Sequence, residues 1–173
     1  MIRILSLAIT VFWAPLASAA PAPEQFTAKQ HEAQFYFDLG TDRIDVSGYP
    51  KAQQENYKIF TAVCSRCHTP ARPINSPLAA RTDWRRYVQR MHVRSKDQSD
   101  KTFTQEQAKS IVEFLAYDSN IRKIAHKAAF DAETDRLKKL FVEVRAERTR
   151  LEIESDTKKA KPYGDQPSAT PRP

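Results

Sequence analysis

Apolar residues recur along the chain at intervals that change from one stretch to the next. From Lys51 to about Arg66, Phe60, Val63, Cys64 and Cys67 are spaced by three and four, which places them on one face of a helix. A second helix is expected to begin with Thr82 as its N-cap, with Trp84, Val88 and Met91 forming an inward stripe and Arg85, Arg86, Gln89 and Arg90 on the solvated side. Thr104 followed by Gln107 is a capping box, so a third helix should open there with Ala108, Ile111, Val112 and Leu115 facing inward. Between the first two helices, Pro70, Pro73 and Pro77 predict an extended loop over residues 69–80. The polar run 94–102 reads as a surface loop.

Outside this block the pattern weakens. Residues 21–34 read as a frayed N-terminus. Phe35 to Leu39 and Ile44 to Val46 suggest short extended pieces. Beyond Asp118 a long, highly charged helical stretch carries a thin seam of Leu137, Leu140, Phe141, Val144 and Leu151. That seam could dock back on the domain or pair with another helix. From about Ser155 the chain becomes polar and proline-containing, as disordered tails are.

The expected organisation is therefore residues 1–19 as an export signal, 20–43 as an N-terminal appendage, 44–118 as one small domain, 119–155 as a charged helical extension and 156–173 as a disordered tail. The fold class is all-α. With 173 residues and 40% apolar content, one compact core is the working limit. The signal reading rests on Arg3, the apolar stretch Ile4 to Phe12, and the small residues Ala17-Ser18-Ala19 before a cut at Ala20. Pro15 and the shortness of that stretch argue against a membrane span. Arg3 is the only ionisable side chain in residues 1–19, so its removal takes the formal charge from +7 to +6. A basic surface steers toward acidic partners or anionic headgroups. Nucleic acid is not expected, since no basic helix is interleaved with stacking aromatics.

The two cysteines decide the chemistry. Cys64-Ser65-Arg66-Cys67-His68 is the C-x-x-C-H pattern of c-type haem attachment. Sulfurs at i and i+3 can each add to a vinyl group on one side of a porphyrin, and the adjacent imidazole then coordinates iron. A thioredoxin-type disulfide would need a βαβ context that the proline-rich loop does not supply. A zinc site would need a second ligand pair, which His31, His92 and His126 do not form.

Met91 is the expected sixth ligand, a soft thioether that raises the reduction potential relative to a second histidine. The alternatives are His92 and an open position. Trp84 and Tyr87 either line the haem crevice or pack in the core. Pro73 or Pro70 could offer a carbonyl to the Nδ1 proton of His68. Arg66, Arg72, Arg85 and Arg86 are candidates for a basic rim.

With these residues in place, the stretch 44–118 resembles small single-haem class I-type cytochromes c, in particular the group of cytochrome c-551 from green sulfur bacterial reaction centres. The resemblance is carried by Ile44-Asp45-Val46-Ser47 with Tyr49-Pro50, the Cys64-to-His68 box, Ala71-Arg72-Pro73-Ile74-Asn75-Ser76, Trp84 through Arg90-Met91, and Ile111-Val112-Glu113-Phe114-Leu115. It implies an all-α cytochrome fold, one covalent haem c with His/Met ligation by His68 and Met91, and electron carriage outside the cytoplasmic membrane, the periplasm being the expected compartment. It further implies a protein electron donor and a protein electron acceptor, and no substrate chemistry of the chain's own. Three alternatives stand beside it: a five-coordinate haem sensor or enzyme, an electron-entry subunit docking through residues 119–155, and a structural exported protein with a disulfide.

Overall fold

The structure is a computed structural model that describes residues 26–159; the expected export signal at 1–19 and the chain beyond residue 159 lie outside them. Among the described residues six α-helices follow one another: α1 (Ala28–His31), α2 (Lys51–Cys64), α3 (Ala71–Asn75), α4 (Arg81–Ser95), α5 (Gln105–Ser119) and α6 (Lys127–Lys159). A 3-10 turn (Tyr36–Leu39) precedes α2, and a π-helical segment (Asn120–Ala125) joins α5 to α6. The fold is all-α, with no strand among the described residues. Nor is any described helix long and apolar enough to cross a membrane.

The core forms where α2 and α4 each lay an apolar face on α5. Phe60 and Phe114 are fully buried and stack with ring centroids 5.1 Å apart. Val63, Ile74, Trp84, Val88, Ile111, Val112, Leu115 and Ala116 complete the cluster. Burying a side chain of this size stabilises by about 1.5–3 kcal/mol, so the period-3.6 stripes on three helices are sufficient cause for their packing. The Thr104 cap forms as expected: its Oγ1 accepts from the Gln107 N–H at 3.2 Å, while the Gln107 side chain accepts from the Thr104 N–H at 2.9 Å.

Several expectations need correction. The proline loop is not wholly extended, because α3 occupies Ala71–Asn75. Pro70 is its N-cap and Pro73 lies in its first turn, where an intrahelical N–H is not needed. Helix α4 starts at Arg81, with Ala80 and not Thr82 at the N-cap. Phe35 to Leu39 is no strand, since Tyr36–Leu39 winds into a 3-10 turn. Its cause is Asp38, whose carboxylate accepts from the Gln34 and Phe35 N–H groups at 3.0 and 3.1 Å. The frayed stretch 21–34 contains a capped helix, α1, and the buried Ala33. Residues 156–159, assigned to the tail, continue α6.

The charged extension docks back. Leu137 and Val144 are buried, and α6 lies against the 3-10 turn and α1. Arg148 donates to the Ala33 carbonyl at 2.9 Å. Of the expected seam, Leu151 is 41% exposed, so docking ends before the last turns of the helix. The N-terminal segment also grips α3. Arg72 bonds Asp38 through two nitrogens, and Asn75 donates to the carbonyls of Thr41 and Ala71. Gly40 sits against Asn75 so closely that a Cβ there would collide with its amide.

The Cys-x-x-Cys-His turn and its supports

Helix α2 ends at Cys64, and the next residues turn instead of continuing the helix. The N–H groups of Cys67 and His68 both donate to the Cys64 carbonyl, each at 3.4 Å. One loose turn therefore gathers both sulfurs and the imidazole at the end of α2. Both thiols are free; Cys64 is half-buried and Cys67 exposed. Burial pushes the Cys64 thiol up to about 12, with the neighbouring Cys67 charge adding to the effect. Arg66 reaches away from the turn and donates to the Thr102 carbonyl at 2.9 Å, tying it to the loop before α5.

His68 is half-buried, with Nδ1 3.0 Å from the Thr69 carbonyl oxygen. A carbonyl can only accept, so Nδ1 carries the proton and Nε2 is left with its lone pair. The acceptor is thus neither Pro73 nor Pro70. The Pro73 carbonyl points elsewhere, accepting from Ser76 Oγ at 3.1 Å and Lys123 Nζ at 3.3 Å.

Met91 stands on α4 and is not in the same turn as the other candidates. Its neighbours along the inner stripe, Val88 and Ser95, are each only 7% exposed, yet Met91 itself is half-exposed. His92 lies on the other flank of the helix. Its ring meets Phe103 edge-on at 5.1 Å, and it lines a groove of about 410 Å³ between α4 and α5 together with Arg81, Arg85 and Lys109. Trp84 is core, its Nε1 donating to Ser119 Oγ at 3.0 Å, whereas Tyr87 is 42% exposed beside Met91. Of the rim candidates, Arg85 and Arg86 are exposed, but Arg72 is committed to Asp38.

The residues after Asp118 do more than the sequence suggested. Lys123, 6% exposed, sends its ammonium to the carbonyls of Pro73, Ser76 and Leu78 at 3.3, 2.9 and 2.9 Å. Arg122 pairs with the buried Asp118 and donates to the Ile74 carbonyl at 2.7 Å. Asp118 also accepts from the Tyr49 hydroxyl at 3.1 Å; burial, then the Asp118 charge, push that phenol well above its ordinary range. The π-helical segment is in this way a clamp on the proline loop, built from the widened turn that brings consecutive Arg122 and Lys123 onto one strip of backbone.

The two free thiols and the imidazole in one turn are of the donor types a covalently attached haem uses, while the Met91 thioether stands apart on α4. This donor set is a poor match for a bare ion, since no three His, Cys, Asp or Glu side chains converge into a metal cage among the described residues. Comparison of the chain with family models, with curated proteins and with solved structures returns no match.

Proposed function

We propose that this chain is an exported one-electron carrier holding a single c-type haem through thioethers at Cys64 and Cys67, with His68 and Met91 as axial ligands. The observation that carries the reading is the Cys64-to-His68 turn: two unpaired thiols three residues apart, followed at once by an imidazole whose Nδ1 is held by the Thr69 carbonyl. That hydrogen bond fixes the tautomer needed for Nε2 ligation. Met91 is favoured over His92 because it interrupts a buried stripe without being buried, whereas His92 faces Phe103 on the opposite flank. The haem would supply the redox-active iron. The protein's part is to hold it by two covalent bonds, present the ligands from the turn after α2 and from α4, and brace those helices on a shared α5.

Arg85 and Arg86 on α4 stay available for approach of an acidic protein donor or acceptor, by long-range attraction that salt should weaken. The test is expression of the full chain together with a c-type maturation system. Purified protein should be red, give a pyridine haemochrome of the thioether type, and gain the mass of one haem. Colourless protein with the mass of the polypeptide alone would overturn the proposal, and a disulfide between Cys64 and Cys67 would then take its place.

A further inference from the structure

Helix α6 carries two apolar seams, and the protomer uses one of them. Leu137 and Val144 are buried on the face that packs against the rest of the protein. On the opposite face Val142, Ala146, Thr149 and Ile153 follow at spacings of four, three and four. All four are exposed, Val142 to 67% and Ile153 to 62%. That spacing is the heptad step of a coiled coil, with Ala146 and Ile153 at a positions and Val142 and Thr149 at d positions. We infer that the chain pairs with a second copy of itself through this face of α6, the two helices running antiparallel.

The face is complementary to its own reverse. A two-fold axis between residues 147 and 148 sets Val142 opposite Ile153 and Ala146 opposite Thr149, each meeting occurring twice. Charge then fixes the direction. Arg145 and Glu152 stand on one flank of the seam, Glu143 and Arg150 on the other, and all four are exposed. In an antiparallel pair like flanks meet, so Arg145 faces Glu152 of the second copy and Glu143 faces its Arg150. Within the protomer Glu143, Arg145 and Glu152 form no ion pair among the described residues, and Arg150 comes no nearer to Glu147 and Glu154 than 3.8 and 3.6 Å. One layer further out, Lys139 meets Asp156 of the second copy. The like-charge meeting is Lys138 with Lys159 at the outer ends, where Lys138 already has Asp135 at 3.4 Å. A parallel pair would instead stack Asp156 on Asp156 and Lys139 on Lys139, and would bring Arg145 against Arg150. The helix is already formed and braced on the protomer, so association does not have to order it first. This face is built from α6 alone, and the inference stands or falls apart from the haem.

The test is sedimentation velocity of the full chain at low ionic strength, from about 1 to 300 μM. The parent's weight-average mass should rise from one chain toward two. Ile153→Asp should stay monomeric throughout. Arg145→Glu and Glu152→Arg each turn two attractive meetings into two repulsive ones, and each alone should weaken association at least about tenfold. An equimolar mixture of these two variants should dimerise like the parent, because the acid placed at 145 meets the base placed at 152, while native Arg145 meets native Glu152. That recovery also shows that both variants are folded. A parent that is monomeric at the highest concentration overturns the inference, as do variants that associate like the parent or a mixture that stays monomeric.

Discussion

The guanidinium of Arg72 meets the carboxylate of Asp38 through Nε and Nη2, at 2.8 and 2.9 Å, and so fastens the segment before the domain to the helix that follows the Cys-x-x-Cys-His turn. Burial pushes the Asp38 carboxyl up, but Arg72 and the Phe35 and Gln34 N–H groups outweigh it and hold it below the ordinary range. The folded-state value is therefore depressed, and the stability this carboxylate contributes is present above about pH 4 and lost as pH falls through the folded value. Asp38→Asn should cost about 2 kcal/mol at neutral pH and flatten the acid limb of the stability profile. Urea unfolding of parent and variant between pH 2.5 and 7 checks this; parallel profiles would show that the pair contributes nothing.

Lys123 predicts a slope of the same sign in a higher window. Its folded value lies near 7, below the 10.5 of an unfolded lysine, so between those values the unfolded chain binds more protons. Stability should rise with pH in that interval, by up to about 1.4 kcal/mol per pH unit. Chemical denaturation of the parent at pH 7, 7.75 and 8.5 should show the rise, and Lys123→Met should not. Equal slopes would mean that the buried ammonium is better solvated than its surroundings suggest.

Without haem, the two thiols should differ in reactivity. Cys67 is exposed, whereas Cys64 is half-buried with its thiol pushed up to about 12. Thiolate is the reacting form, so iodoacetamide at pH 8 should label Cys67 at least tenfold faster. Peptide mass mapping at short times reads the ratio.

The ligand assignment can be separated by spectra. Met91→Ala in the haem-loaded protein should abolish the sulfur-to-iron band of the oxidised form and let the reduced form bind carbon monoxide readily. His92→Ala should leave both properties as in the parent. A reversal of the two outcomes would assign the sixth position to His92.

Three helices were legible in the sequence because their stripes are dense: Phe60 and Val63, Trp84 and Val88, and Ile111, Val112 and Leu115 all became core. The capping box at Thr104 was legible because it is local, closing within three residues. What escaped depends on distant partners. Arg72 reads in sequence as a cation of a basic rim, and neither it nor Asp38 or Asn75 shows its partner, since nothing local reveals that residues 34 positions apart will meet. Lys123 escaped for the same reason. In sequence it is one cation in a charged run, and only the widened turn of the π-helical segment turns it inward. For the candidate site, the Cys64-to-His68 motif was readable and the acceptor for His68 was not. Thr69 is simply the next residue, and nothing in the sequence distinguishes its carbonyl from those of Pro70 and Pro73.

A shortened chain cut at residue 118, where the charge pattern changes, would look like a tidy minimal domain. It would in fact be missing its keystone: the peptide oxygens of Ile74, Ser76 and Leu78 would face bulk water or one another, their donors at Arg122, Lys123 and Ser119 gone with the excised piece. The stretch that composition marks as an add-on is the part without which the arch beside the cysteine turn has nothing to lean on.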